Sequence, residues 1–312
     1  MKNKDQFIVF STEKYNYLKK NLLAEGNYES GELTRKTFPD GEKYYQILSN
    51  VQYKEVVLIG GTISDQETLE LYDLATGLVE YGARKLNLIL PYYGYSTMER
   101  SVKKGEIVTA KTRARLISAI PQAYFGNRVI LLDLHSEGIT NYFEGAIRPL
   151  HLYAKPLIIE AAKELAGENF VLASTDAGRA KWVESLAYDM HVDAAFVYKR
   201  RLSGSNTQVT GINADVKNRN VVIYDDMIRT GGSLLHAAKA YADAGAKKIF
   251  VIATHGIFPN NALQKIKDSG LVEQMMVTDS HPNVLELEGD FLKVKPIHFL
   301  LKDALESLGE IE

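Results

Sequence analysis

The sequence predicts an α/β protein built as two tandem, duplicated domains, each a mainly parallel sheet flanked by helices. Short apolar runs alternate with amphipathic stretches of helical length, as parallel strands buried on both faces require. Two stretches about 165 residues apart repeat one pattern of strand, loop, helix, Gly-Ala, basic pair and strand. The chain has 312 residues, 46% hydrophobic and 24% charged, a globular composition at a length that suits two ordinary domains.

The runs predicted as strands are, in order, Val56 to Ile59, Leu86 to Leu90, Val129 to Leu132, Phe170 to Ala173, Ala194 to Val197, Val221 to Tyr224 and Ile249 to Ala253. EVVLIGG, from Glu55, leads through a helical stretch to Gly82-Ala83-Arg84-Lys85 and the next strand. NVVIYDD, from Asn220, leads in the same way to Gly245-Ala246-Lys247-Lys248. In both copies the Gly suits a left-handed helix C-cap, and the basic pair complements the negative end of the helix dipole. No low-complexity linker marks a boundary, which is expected near residue 150. The domains are then 1–150 and 151–298, with a C-terminal segment of about 299–312 expected to pack back on the first.

A net charge of -2 leaves no overall basic field to hold nucleic acid, so any anionic ligand must be gripped locally. With no cysteine, disulfides, thiolate zinc sites and a cysteine nucleophile are excluded. The N-terminal MKNKDQFIVFSTEK has no apolar core suited to a signal peptide, and no run approaches the roughly 20 apolar residues needed to span a bilayer. A cytoplasmic protein is expected.

The two copies differ in chemistry. After its strand the second carries Asp225-Asp226, Met227-Ile228, Arg229 and then Thr230-Gly231-Gly232-Ser233 before a helical stretch; the first has Gly60-Gly61-Thr62 and no acid pair. Backbone N–H groups from Thr230 to Ser233, with the two hydroxyls and the helix dipole, suit a phosphate. Carboxylates would repel that phosphate, so they face sugar hydroxyls or a magnesium ion. A phosphate beside a vicinal diol describes a ribose phosphate. The plainer reading is that the acids cap a turn and the glycines tighten it. Neither a Gly-x-x-x-x-Gly-Lys nor a Gly-x-Gly-x-x-Gly run is present, which disfavours P-loop and dinucleotide chemistry.

This loop resembles the PRPP-binding loop of type I phosphoribosyltransferases. Other segments resemble, in family order and over nearly the whole chain, ribose-phosphate pyrophosphokinases. They are Phe38-Pro39-Asp40-Gly41-Glu42, Pro91-Tyr92-Tyr93-Gly94-Tyr95, Ile107 to Lys111, Asp133-Leu134-His135, Ser174 to Gly178, Lys199-Arg200-Arg201 and Asp215-Val216-Lys217. The resemblance implies a type I phosphoribosyltransferase-like fold in both domains. It also implies transfer of the β,γ-diphosphate of ATP to the C1 hydroxyl of ribose 5-phosphate, by in-line attack helped mainly by alignment and charge neutralisation. It assigns His135 and Asp176 to the magnesium nucleotide, and Lys199 and Arg201, on a mobile loop with Ser203, Gly204 and Ser205, to the transferring phosphates. Asp225 and Asp226 take the ribose hydroxyls and Thr230, Gly231, Gly232 and Ser233 the 5-phosphate. Phe38 stacks on adenine with Asp40 and Glu42 nearby, from a neighbouring subunit of a dimer or hexamer. The implied partners are ATP, magnesium and a phosphorylated ribose, with neither nucleic acid nor membrane.

Two departures stand out. Where the family has an Arg-Gln pair gripping ATP, this chain has Thr97-Met98, with Arg100 or Lys103 left to compensate. Where the family's loop has an Asp before Thr-Gly-Gly, this chain has Arg229, a two-unit change of charge within roughly 5 Å of a phosphate. That change suits a sugar with more negative charge, such as ADP-ribose, which keeps the same C1 hydroxyl and would yield ADP-ribose 1-pyrophosphate in NAD salvage. Ribose 5-phosphate is the reading taken, because the rest of the loop is unchanged. ADP-ribose and a non-catalytic regulatory homologue are the alternatives.

Overall fold

Residues 7–175, 177–203, 206–212 and 214–310 are described by a computed structural model, in which side chains 177, 198–203, 206–212, 309 and 310 lie outside the described set. The chain divides into two compact units. One ends at Tyr153 and is completed by the segment from His298, and the other spans Ala154–Ile297.

The first unit contains β1 (Ile8–Ser11), α1 (Asn16–Glu25), β2 (Glu29–Ser30), the hairpin of β3 (Leu33–Thr37) and β4 (Lys43–Ile47), β5 (Glu55–Ile59), α2 (Asp65–Glu80), β6 (Lys85–Leu90), α3 (Thr109–Ser118), β7 (Asn127–Leu132) and β8 (Ile147–Leu152). Then come α4 (Lys155–Ala166), β9 (Phe170–Ser174), α5 (Ala180–Met190), β10 (Asp193–Ala195), the hairpin of β11 (Val197–Ser203) and β12 (Asn206–Ile212), β13 (Asn220–Ile228), α6 (Gly232–Asp243), β14 (Lys248–Gly256), α7 (Ala262–Asp268), β15 (Gln274–Thr278) and β16 (Leu292–Lys295). They make up the second unit, and the chain then returns to the first as α8 (His298–Glu310).

Among the described residues each unit holds one six-stranded sheet. The orders are β2-β1-β5-β6-β7-β8 and β10-β9-β13-β14-β15-β16, with every pairing parallel. The two orders are the same list of positions, so the repeat read from two segments extends to the whole sheet and to the hairpin inserted before the third strand in space. Burial explains the strands. Val56 and Leu58 join Leu71, Leu74 and Leu86 in one core, and the intervening Val57 and Ile59 are buried on the opposite face. In the second unit Val221 and Ile223 do the same with Leu234, Ala238 and Val251.

The run Ala194 to Val197 folds differently from its expectation as one strand. It ends β10 at Ala195, breaks at Phe196 and begins β11, which leaves the sheet to pair antiparallel with β12. Lys199, Arg200 and Arg201 follow at once, and such residues do not fit a strand buried on both faces. Among the described residues no helix is long and apolar enough to cross a membrane.

Candidate ribose-phosphate site at the end of β13

The chain leaves β9 outward to β10 and returns on the other side as β13. The gap between the C-terminal ends of β9 and β13 is therefore the topological switch point of this sheet, where open α/β sheets place ligands. β13 pairs with β9 only from Asn220 to Tyr224, yet continues along β14 to Ile228. From Asp225 onward its β9-facing edge is open, and Asp225 and Asp226 occupy that opening.

Both acids are engaged. Thr175, just past β9, donates its hydroxyl to Asp225 Oδ2 at 2.8 Å, and the Asp226 N–H donates to Asp225 Oδ1 at 2.9 Å. Arg179 places Nη2 2.8 Å from Asp226 Oδ2 and Nε 3.8 Å from Asp225 Oδ1. The Asp226 side chain is 2% exposed and that of Asp225 21%. Burial, and then the charge of Asp226, push the Asp225 carboxyl well above the usual carboxylate range, while Thr175 and Arg179 pull it back.

The loop that follows has the form expected of an anion cradle. Arg229, Thr230, Gly232 and Ser233 are exposed, and Gly231 is buried with φ 78. A Cβ on Gly231 would stand 2.8 Å from Ile266 Cδ1, so positive φ and close packing both demand glycine. Gly231 is also the N-cap of α6. It supplies no side-chain cap, and the first turn has no acid, the form in which a helix N-terminus suits an anion.

The equivalent place in the first unit is closed. Ser64 caps α2 by accepting from the Glu67 N–H, with Asp65 and Glu67 in the first turn. Thr62 uses its hydroxyl to accept from the Gly94 N–H at 2.6 Å, and a Cβ on Gly61 would stand 2.4 Å from the hydroxyl oxygen of the buried Tyr15. The buried Glu70 of α2 accepts from the Glu13 N–H and from Arg35. One copy of the duplication keeps an open cradle and the other has turned it into core.

Phe38, Asp40 and Glu42 form the tip of the β3–β4 hairpin, where Gly41 has φ 95 and Glu42 N–H donates to Asp40. Phe38 is 47% exposed, with its ring edge-on to Tyr44. Thr97, Met98 and Arg100 are exposed on the segment after β6, Arg100 beside Glu99 at 3.3 Å. Tyr95 on the same segment and Arg113 of α3 both hydrogen-bond Asp65, and the Arg113 guanidinium lies 4.6 Å over the Tyr95 ring.

His135 is exposed just past β7, after Asp133 at φ 37. Asp176 lies outside the described residues. The backbone of Lys199 and Arg201 forms part of β11, a strand of a hairpin where a loop was expected. The hairpin carries register shifts at Tyr198/Lys199 and Arg201/Ser203; the side chains of both basic residues lie outside the described set, as do Gly204 and Ser205. Antiparallel pairing with β12 makes this strand, a partner that composition does not reveal.

Among the described residues no three His, Asp or Glu side chains converge as a metal cage. The acid pair is already held by Thr175 and Arg179, and an imidazole such as His135 is a poor match for magnesium, which prefers oxygen. Of the pair expected at the magnesium nucleotide, His135 is among the described residues and Asp176 is not.

An acid pair beside a Gly-rich helix start, at the switch point of a doubly wound parallel sheet, defines an α/β protein of the kind that places ligands at that point. Comparison with known proteins narrows the class. Residues 7–120 match the N-terminal domain of ribose phosphate pyrophosphokinase, and residues 175–311 the phosphoribosyl synthetase-associated domain. The chain is similar to the ribose-phosphate pyrophosphokinase of Gloeobacter violaceus, 32% identical over 90% of this chain and 83% of that one. It is also similar to that of Pyrococcus abyssi, 29% identical over 98% and 99%. The crystal structure of phosphoribosylpyrophosphate synthetase from Mycobacterium smegmatis superposes with a TM-score of 0.86 at 25% identity, over 98% of this chain and 100% of that one. The chain belongs to the ribose-phosphate pyrophosphokinase family.

Proposed function

We propose that the chain is an ATP-dependent diphosphokinase that transfers the β,γ-diphosphate of ATP to the C1 hydroxyl of ribose 5-phosphate, giving PRPP and AMP. The observation that carries this reading is the open α6 N-terminus beside the buried acid pair, in a family member whose other copy of the same crevice is sealed. The α6 N–H groups with Thr230 and Ser233 take the 5-phosphate, and Asp225 and Asp226 accept from ribose hydroxyls. The C1 oxygen attacks the β-phosphorus in line, the bond from that phosphorus to the α-phosphate oxygen breaks, AMP leaves, and the hydroxyl proton is released. Lys199 and Arg201 offset charge on the transferring group.

ATP enters as its magnesium complex, a substrate, with His135 and Asp176 nearest its metal. Phe38, Asp40 and Glu42 on one hairpin tip, together with Thr97, Met98 and Arg100, contact the nucleotide. A homo-oligomer in the cytoplasm, with the hairpin tip offered to a neighbouring copy, completes this reading.

Arg229, exposed at the head of the cradle, favours a second reading in which ADP-ribose is the acceptor and ADP-ribose 1-pyrophosphate the product. Labelled ATP mixed with each sugar separates the cases. AMP release with ribose 5-phosphate is the expected result. Release only with ADP-ribose transfers the proposal to that acceptor, and release with neither, from folded protein, overturns catalysis in favour of a regulatory homologue.

A further inference from the structure

Arg179 has no helical reason to be where it is. It ends the turn Ala177–Arg179 after β9 and is the N-cap residue of α5, whose first turn contains no acid and which receives no side-chain cap from it. A cation at the positive end of a helix is electrostatically misplaced. The carboxylates opposite compensate: Asp226 at 2.8 Å and Asp225 at 3.8 Å. Adjacent acids in a crevice can act in two ways. As a doubly negative pair they attract a divalent cation, and as acceptors they bind hydroxyls. The guanidinium removes one negative charge from the pair and occupies one face of Asp226, while Thr175 occupies one oxygen of Asp225. A divalent cation would meet both a reduced charge and a fixed positive neighbour. A neutral diol meets neither obstacle, and the anionic tail of its sugar is no longer repelled.

We propose that Arg179 is a specificity-determining residue of this site: its guanidinium, fixed across Asp226 and Asp225, keeps the acid pair from caging a divalent cation and reserves it for sugar hydroxyls. This rests on the ribose-phosphate reading above only for the identity of the sugar.

The test uses the full chain without nucleotide and compares wild type with Arg179→Met and Arg179→Lys. Manganese binding is followed by electron paramagnetic resonance, and ribose 5-phosphate and ADP-ribose binding by calorimetry. Removing one partner of a buried charge pair weakens sugar binding about thirtyfold or more in Arg179→Met. The same variant gains manganese affinity at least about tenfold, a gain that Asp226→Asn cancels in the double variant. Arg179→Lys keeps the charge without the fork, so it does not gain manganese and binds sugar at an intermediate level. It carries the test if Arg179→Met fails to fold, since a gain of manganese binding in the lysine variant overturns the proposal. Unchanged sugar affinity with unchanged manganese binding in Arg179→Met also overturns it. If wild type binds neither sugar while Arg179→Met gains manganese, the acceptor reading falls and the exclusion of metal by Arg179 stands.

Discussion

Asp279 is 4% exposed, within a buried polar group at the ends of β14 and β15. It accepts from the Ile297 N–H at 2.8 Å. Nearby, Ser280 Oγ lies 2.8 Å from His255 Nδ1 and donates to the Thr254 carbonyl at 3.0 Å. Burial pushes the Asp279 carboxyl up to about 7, against the pull of that backbone N–H, and pushes the His281 imidazole down to about 4, helped by His255. The folded protein keeps the Asp279 proton to a higher pH than the unfolded chain does. The stability Asp279 contributes is complete below about 4 and lost as pH rises through about 7. His281 acts in the other direction: the folded protein refuses a proton that the unfolded chain accepts below about 6.5, so its stability is lost as pH falls toward about 4. Asp279→Asn keeps an acceptor for Ile297 and removes only the first effect. Urea unfolding at pH 5 and pH 8 should therefore show wild type losing about 2–3 kcal/mol more than the variant on going to pH 8. Parallel behaviour of the two proteins would mean that Asp279 titrates as an ordinary carboxyl.

At the scale of elements, α2 and α6 are the same helix of the duplication with opposite first turns: Ser64, Asp65 and Glu67 satisfy one, and Gly231 leaves the other open. Ser233→Asp would give α6 an acid at its positive end, stabilising that helix by about 0.3–1 kcal/mol. The same carboxylate would stand where the sugar phosphate is proposed to bind, so calorimetry should find ribose 5-phosphate bound at least about tenfold more weakly, a loss of about 1.4 kcal/mol. Equal affinity would show that the phosphate does not use this helix. The acids and this loop were legible because they adjoin in sequence and break a buried strand. Thr175, 50 residues upstream of Asp225, and Arg179 were not, since only the parallel pairing of β9 with β13 brings them there. The same distinction runs through the strands. Central strands announce themselves as apolar runs, whereas β16 (LKVK) alternates, β2 has two residues, and the hairpin strands are polar. Edge pairing makes those elements, and it leaves little mark in composition.

At the scale of the molecule, the duplication comes with an exchange of helices. α4 follows the last strand of the first sheet but belongs to the second unit, lying against β13, β14 and α5; α8 follows the last strand of the second sheet but belongs to the first, lying against α1. The second unit is one continuous stretch that opens with α4, whereas the first is completed only by α8, which follows the whole of the second unit in the chain. α8 buries Leu301 and Leu305 fully, holds His298 at 3.9 Å from Glu25 of α1, and places Glu306 and Asp303 close enough to Tyr28 to help burial raise its hydroxyl to about 12. Leu305→Ala tests whether this late helix is integral to the first unit. Truncating a fully buried leucine costs about 2–5 kcal/mol, and amides of α1 and β1 should lose protection in hydrogen exchange by a corresponding amount. Amides of β13 and α6, in the other unit, should keep theirs, because no contact of theirs is removed. Equal loss in both units would mean that the two fold as one cooperative body. Loss confined to α8 would mean that the helix is an appendage the first core does not require.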